Sequence, residues 1–147
     1  MKPGSIAIVG AAETTELGRI PDLSVLQLHA DAALNTLADA GLTPADIDGV
    51  ATAGESPTNV AWYLGITPTW VDGTTVGGCS FMLHVRHAAA AIAEGLCTTA
   101  LITHGESGKS RVGATSRAAS PASLAGQFEA PYGPTGAPTM FTIPVLR

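Results

Sequence analysis

The chain has 147 residues, which is enough for one compact domain and leaves little room for a second. Its formal net charge of −5 and the absence of any run of Lys or Arg argue against a nucleic-acid partner. No stretch is apolar for long enough to span a bilayer, and the N-terminus lacks the pattern of a signal peptide. We therefore predict a cytoplasmic protein with no membrane partner.

Charge and cysteine content refine this expectation. Charged residues make up only 13% of the chain, about half the usual share. A surface with so few charged residues contains apolar area. We therefore expect a second subunit or further polypeptide to bury part of that area. The two cysteines, Cys79 and Cys97, form no disulfide framework and have no metal-ligand spacing.

The first predicted elements are a strand and an amphipathic helix. Residues 5–9 are a short apolar run that ends at Gly10, which predicts a buried strand. Across residues 24–40, apolar residues recur at steps of three and four, with polar residues on the opposite face. This spacing predicts a helix with Ser24 as its N-cap and Gly41 as its stop.

Strands and helices alternate along the next part of the chain. The predicted elements are a strand at 49–53, a short helix at 59–64, a short strand from Trp70, a helix at 80–93 that Gly95 ends, and a strand at 98–103. Such alternation predicts an α/β fold, with a mixed, mostly parallel sheet and helices on its faces.

The last part of the chain has a different composition. Residues 105–147 hold half of the ten prolines and show no periodicity. Structureless segments of this length are uncommon inside a compact domain unless other polypeptide completes them. We therefore predict a domain at 1–110, followed by a loop segment rich in Pro, Gly and Ser at 111–147.

Residues 103–110, THGESGKS, partly match a phosphate-binding loop, which requires Gly-x-x-x-x-Gly-Lys-Ser/Thr. Gly108, Lys109 and Ser110 fit, but Thr103 stands where the first glycine is needed. The residues that follow are rich in Gly and Ser rather than helical in pattern. We interpret the stretch as an ordinary polar loop.

The segment Gly77-Gly78-Cys79-Ser80 opens the predicted helix at 80–93. Helix N-terminal amides favour a thiolate, so Cys79 is a candidate nucleophile. The alternative is a small buried cysteine in a tight turn, where the glycines let backbones approach closely.

Four polar side chains are further candidates. His84 and His87 are three residues apart on one helical face, but no acidic residue completes a metal-ligand pattern, so no metal is predicted. His104 and Glu106 follow a predicted strand, at the carboxyl end where open α/β sheets place ligands. They either line a site or form a local loop pair.

The ordered series IAIVGAAET, LTPADIDGV, GGCSFMLHVRHAAAAIAEG and TTALITHGES resembles the N-terminal half of the thiolase superfamily. Within it, the chain is most similar to the sterol-carrier and lipid-transfer type of thiolase-like proteins, which include steroid side-chain aldolases. The resemblance covers about residues 5–110 and is best over residues 75–106.

The resemblance leaves two alignments of the catalytic motif open. Active thiolases begin this helix with Asn-x-x-Cys-x-Ser-Gly, and the Cys carries the acyl group. If Cys79 is that residue, Val76 replaces the Asn, and Phe81 and Met82 replace Ser-Gly. If Ser80 is the motif Ser, Gly78 occupies the nucleophile position. The spacing to the glycine that ends the helix favours the second alignment.

The resemblance implies an acyl-CoA substrate, with CoA present only as part of that substrate and no other cofactor. Because the favoured alignment places no thiol at the nucleophile position, the resemblance favours retro-aldol cleavage over thiolytic acyl transfer. Cys79 and His104 are then the catalytic candidates, and Gly77, Gly78 and Ser80 the substrate-binding candidates. The acid–base residues of these relatives lie in a C-terminal half, and their partners include a small OB-fold acyl-CoA-binding protein.

Two functions therefore remain open. The chain is either the N-terminal part of an acyl-CoA aldolase or acyltransferase that forms a homodimer, or a non-catalytic binding subunit or truncated relic of such an enzyme. The helix at 80–93 is expected to be buried between this half and a second one.

Overall fold

The computed structural model describes residues 4–112, 122–128 and 130–133. The chain divides into two compact units, Met1–Ala114 and Thr115–Arg147. The elements of the first unit are, in chain order, α1 (Val25–Ala40), a 3-10 turn (Pro44–Asp46), β1 (Gly49–Ala53), α2 (Pro57–Leu64), β2 (Trp70–Asp72), α3 (Ser80–Ala93) and β3 (Ala100–His104). The predicted alternation of strands and helices after residue 24 is confirmed.

Helix α1 begins after the predicted N-cap, Ser24, and ends before the predicted stop, Gly41. The Ser24 side chain accepts a hydrogen bond from the Gln27 backbone, and the Gln27 side chain accepts one from the Ser24 backbone. This capping box satisfies two N–H groups that have no partner inside the helix. At the other end, Gly41 adopts φ 68°, the left-handed conformation that closes helices at little cost for glycine.

The three strands form a parallel sheet in the order β2-β1-β3. All five residues of β1 are buried, as expected for a central strand covered on both faces. Helices α1 and α2 pack on one face, and α3 packs against the sheet as well. The core between the sheet and α1 and α2 comprises Ala33, Leu37, Ile47, Val50, Ala61, Ile66 and Leu101.

The prediction of a strand at residues 5–9 is wrong. Residues 6–14 belong to no strand or helix, and Ile8 and Val9 are exposed by 77% and 63%. A cavity of about 470 Å³ lies between this segment and β3, so the two backbones are not joined by a ladder. An apolar run becomes a strand only when a neighbouring backbone supplies hydrogen bonds.

The second unit contains a short helix α4 (Leu124–Phe128) and a 3-10 turn (Ala130–Tyr132). Most of the predicted loop segment 111–147 lies outside the described residues. In the part of the chain that the structure describes, no helix is both long and apolar enough to cross a bilayer.

Candidate functional site

The turn into α3 is built around Gly77 and Ser80. Gly77 has φ 89°, which favours glycine, and the buried Ser80 hydroxyl donates to its carbonyl at 2.6 Å. The same hydroxyl accepts a hydrogen bond from the Val76 N–H at 2.9 Å. Ser80 is therefore fully engaged in holding the turn, and its hydroxyl faces the turn's own backbone.

Cys79 is the N-cap residue of α3 and is exposed. Its Sγ lies 4.0 Å from the Val76 carbonyl oxygen and makes no N-capping hydrogen bond. A buried packing role is therefore wrong for Cys79. The role does fit Cys97, whose pKa is raised by burial and by the nearby Asp48 carboxylate.

His104 ends β3 and lies beside the first turn of α3. Its ring centroid is 6.0 Å from that of Phe81, the second residue of α3. Its Nε2 is 3.8 Å from the Glu106 Oε1, which is longer than a hydrogen bond. The fold thus brings His104 close to the first turn of α3, the helix whose N-cap residue is Cys79.

His84 and His87 each have their own partner. His84 Nε2 lies 2.9 Å from the Thr74 carbonyl oxygen, and His87 Nδ1 lies 2.6 Å from the Asp72 carboxylate. The two contacts tie α3 to the last residue of β2 and to the segment that follows it. Among the described residues, no group of three or more His, Cys, Asp or Glu side chains could hold a metal ion.

Asp72 organises the start of this segment. Its Oδ1 accepts hydrogen bonds from the Thr74 N–H and hydroxyl at 2.8 and 2.7 Å. Partial burial raises the pKa of Asp72, but hydrogen bonds from Thr74 and His87 outweigh it and hold the pKa below its usual range. Residues 73–78 are therefore fixed at their beginning by Asp72 and at their end by Ser80.

Sequence reasoning missed His29, which α1 places beneath the carboxyl end of β3. His29 is 1% exposed, and its Nδ1 lies 2.6 Å from the hydroxyl of Thr103, the residue before His104. Its Nε2 has no hydrogen-bond partner in the part of the chain that the structure describes. The only signal in the sequence was a histidine on the apolar face of a helix. Such a histidine more often belongs to the packed core than to a functional site.

Gly54 and Gly105 allow the segments after β1 and β3 to approach each other. A Cβ on Gly54, which has φ 98°, would lie 2.0 Å from the Gly105 carbonyl oxygen. A Cβ on Gly105 would lie 2.8 Å from the His29 ring. These contacts determine the path of the chain directly after His104.

The polar loop after β3 lines a pocket of about 330 Å³ together with the segment before α1. The pocket is lined by Ala12, Glu13, Thr14, Leu17, Gly18, Ile20, Leu28, Ala32, His104, Gly105, Glu106, Ser107, Lys109 and Ser110. Residues 108–110 form a turn rather than the first turn of a helix. The helical context of a phosphate-binding loop is therefore absent at Lys109, in agreement with the sequence analysis.

No protein-family model matches the chain. Two curated relatives do. The chain is 38% identical over 100 residues to the 17-hydroxy-3-oxo-4-pregnene-20-carboxyl-CoA lyase of Mycobacterium tuberculosis, covering 65% of the chain and 26% of the lyase. It is 37% identical over 98 residues to a steroid side-chain-cleaving aldolase of Thermomonospora curvata, covering 64% of the chain and 25% of the aldolase.

Solved structures agree with these relatives. The Ltp2-ChsH2(DUF35) aldolase superposes with a TM-score of 0.62 at 27% identity, over 86% of this chain and 35% of that one. A monomeric SCP2-thiolase-like protein type 1 from Mycobacterium smegmatis gives a TM-score of 0.57 at 30% identity, over 67% and 23%. The chain is related to the thiolase-like proteins.

This relationship confirms the predicted thiolase-like α/β fold and its similarity to steroid side-chain aldolases. The relationship covers only part of those proteins, because the chain spans about a quarter of the length of the curated relatives it matches, 26% and 25%. The roles of Cys79, His104, Gly77, Gly78 and Ser80 stay predictions.

Proposed function

We propose that this chain provides the N-terminal half of a thiolase-like aldolase that cleaves a carbon–carbon bond in an acyl-CoA thioester. The observation that carries the proposal is the 38% identity to a steroid-CoA lyase across 100 residues. The start of α3 supports it, since the favoured alignment places Gly78, not a cysteine, at the nucleophile position of thiolases.

The chemistry of a retro-aldol cleavage needs no covalent carrier on the protein. A base removes the proton from a hydroxyl that lies β to the thioester carbonyl, and the carbon–carbon bond breaks to leave a ketone. The electron pair passes to the thioester as an enolate, which takes up a proton to give a shorter acyl-CoA. Acid–base groups and stabilisation of the enolate oxygen therefore replace the thiolate of acyl transfer.

We assign the substrate side of this site to the turn into α3. Gly77, Gly78 and Ser80 shape its backbone, and Cys79 and His104 are the side chains with access to a ligand there. Cys79 is exposed, and His104 lies against Phe81 in the next turn. The hydrogen bonds of Ser80 to Val76 and Gly77 support a role for Ser80 in shaping the turn rather than in binding through its hydroxyl.

Further polypeptide would complete the enzyme. The chain spans 26% of the lyase, and the resemblance assigns the acid–base residues to a C-terminal half. One of the solved relatives is an assembly of two proteins, Ltp2 and ChsH2, by its name. We infer an acyl-CoA substrate, a partner of the small OB-fold acyl-CoA-binding type, a homodimer, and a cytoplasmic location.

A second candidate function is a non-catalytic binding subunit. It is favoured by the apolar side chains that α3 exposes, since Phe81, Met82 and Val85 are 45%, 65% and 40% exposed. Such a surface suits a subunit that pairs with a larger protein. This candidate predicts acyl-CoA binding without turnover.

The deciding experiment uses the native assembly purified from its source, with 17-hydroxy-3-oxo-4-pregnene-20-carboxyl-CoA as the substrate. Cleavage is followed by the appearance of a steroid ketone and a shorter acyl-CoA. Cys79→Ala should retain activity within about twofold, because no covalent carrier is needed. Glu94→Ala, which changes an exposed residue at the other end of the same helix, is the matched control.

The other outcomes exclude the proposal. Loss of a CoA-dependent reaction in Cys79→Ala, with Glu94→Ala unaffected, would establish thiolytic acyl transfer. Binding of the substrate by the assembly with no cleavage would establish the binding subunit instead.

A further inference from the structure

One face of α3 runs alongside the loop that joins β2 to this helix, residues 73–78. Ser80, His84 and His87 are spaced by four and three residues, so they share one face of α3. Their hydrogen-bond partners are, in the same order, Val76, Thr74 and Asp72. The loop therefore runs back along the helix, with every second residue bonded to this face. We call the three side chains Ser80, His84 and His87 the α3 brace.

The chemistry of each acceptor fixes the direction of the histidine hydrogen bonds. Carbonyl and carboxylate oxygens accept, so His84 Nε2 donates to the Thr74 carbonyl at 2.9 Å and His87 Nδ1 donates to the Asp72 carboxylate at 2.6 Å. The other carboxylate oxygen of Asp72 accepts from the N–H and the hydroxyl of Thr74. A chain of hydrogen bonds thus begins at His87 on the helix and ends on the loop backbone.

The loop depends on these contacts for its conformation. In the described chain, hydrogen bonds from residues 73–78 that reach beyond the loop go to Asp72 and to residues 79–84. Residues 75–78 are exposed, and a Cβ added at Gly77 or Gly78 would meet nothing within 4 Å. Because exposed glycines have the widest choice of backbone conformations, the α3 brace supplies the order that packing does not.

His87 differs from the other two members of the α3 brace in its exposure. Ser80 and His84 are 0% exposed, whereas the side chain of His87 is 41% exposed. Ser80 and His84 also bond directly to the loop, while His87 reaches it through Asp72. His87 is therefore the member that a substitution removes without opening a buried space.

We propose that His87 is a positioning residue for the acyl-CoA substrate, and that it acts through Asp72 and Thr74 to hold the loop 73–78 in its binding conformation. The inference rests on the proposed function, which assigns the substrate side of the site to the turn into α3. A loop that is already ordered loses less conformational entropy when a ligand binds, so the α3 brace increases affinity. This effect applies to the ground state and the transition state alike, so it concerns KM rather than kcat.

The first experiment measures amide hydrogen exchange in the full chain. His87→Leu removes the donor, and exchange at the Thr74 and Val76 amides should become at least about threefold faster. Exchange at Ala51 and Leu101, in the buried sheet, should stay unchanged. His87→Asn keeps a donor N–H at the position of Nδ1 and should restore slow exchange in the loop.

The second experiment uses the native assembly with 17-hydroxy-3-oxo-4-pregnene-20-carboxyl-CoA. His87→Leu should raise both the Kd and the KM for this thioester at least about fivefold and change kcat by less than about twofold. His87→Asn should recover most of the affinity. Glu94→Ala, at an exposed residue beyond the end of α3, is the matched control and should leave all three constants unchanged.

Each part of the proposal has a result that would overturn it. Unchanged exchange at Thr74 and Val76 in His87→Leu would show that His87 does not hold the loop. Faster exchange with an unchanged Kd would show that the ordered loop does not serve the substrate, and a loss that His87→Asn does not recover would exclude the hydrogen bond as the cause. An unmodified assembly that binds the thioester without cleaving it would overturn the proposed aldolase alone, because Kd and exchange are measured without turnover.

Discussion

Gly54 controls how closely the carboxyl ends of β1 and β3 approach. It has φ 98°, and an added Cβ would meet the Gly105 carbonyl oxygen at 2.0 Å. Gly54→Ala should therefore lower the free energy of unfolding by at least about 2 kcal/mol, through backbone strain and overpacking together. Chemical denaturation measures the change.

Gly78→Ala is the matched control for this prediction. No atom lies within 4 Å of a Cβ at Gly78, and its φ is not in the left-handed region. Its effect should stay within about 0.5 kcal/mol. Equal stabilities of the two variants would show that β1 and β3 do not approach as described.

His29 should make the fold sensitive to mild acid. Burial lowers the pKa of His29 below its ordinary value of 6.5, with the Gly105 backbone and the Glu55 charge opposing the shift. The unfolded chain therefore binds this proton more readily than the folded one. Its contribution to stability is complete above pH 6.5 and is lost as the pH falls from 6.5 toward the lowered folded value.

The test compares the free energy of unfolding at several pH values between about 7.5 and 5, above the range in which most carboxylates titrate. His29→Leu should flatten the decline, because it removes the buried group that takes up a proton more readily in the unfolded chain. A decline that is unchanged in His29→Leu would assign the acid sensitivity to another group.

At the scale of elements, α1 depends on its N-terminal cap. Ser24→Ala removes the hydroxyl that accepts from Gln27 and breaks the capping box. The free energy of unfolding should fall by about 1 kcal/mol, as measured by thermal or urea denaturation. Ser24→Asp, which keeps an acceptor at the cap, should restore most of the loss, and failure to do so would mean that the cap contributes little.

Helix α3 has two different faces. Ser80, His84, Ala88 and Ala91 are buried toward the sheet, while Phe81, Met82 and Val85 are exposed. Small alanines let the helix lie close to the strands. We expected α3 to be buried between two halves. Among the described residues, only the face of α3 toward the sheet is buried. A second half would have to cover the exposed apolar face.

At the scale of the whole molecule, the described first unit leaves apolar surface at several places. The exposed large apolar residues outside the second unit are Ile8, Val9, Leu17, Leu34, Trp62, Tyr63, Val71, Val76, Phe81, Met82, Val85 and Leu96. Only 13% of the residues in the chain are charged. This agrees with the proposal that further polypeptide covers part of the molecule.

Most elements were predictable because their signals are local. The cap at Ser24, the stop at Gly41 and the periodicity of residues 80–93 each act within one or two turns of helix. The helices therefore form where these local signals predict them. The segment at residues 5–9 was not predictable, because an apolar run forms a strand only when another backbone lies beside it and pairs with it, and here none does among the described residues.

The candidate site divides in the same way. The sequence alone determined that Gly77 to Ser80 form the turn into a helix and that His104 ends a strand, since turn and strand signals lie in neighbouring residues. Only the tertiary structure decided that His104 lies against Phe81, that His29 lies beneath Thr103, and that β3 borders a cavity lined by uncharged residues. These contacts join residues up to 74 positions apart, and no local pattern records which distant backbone will pack against which.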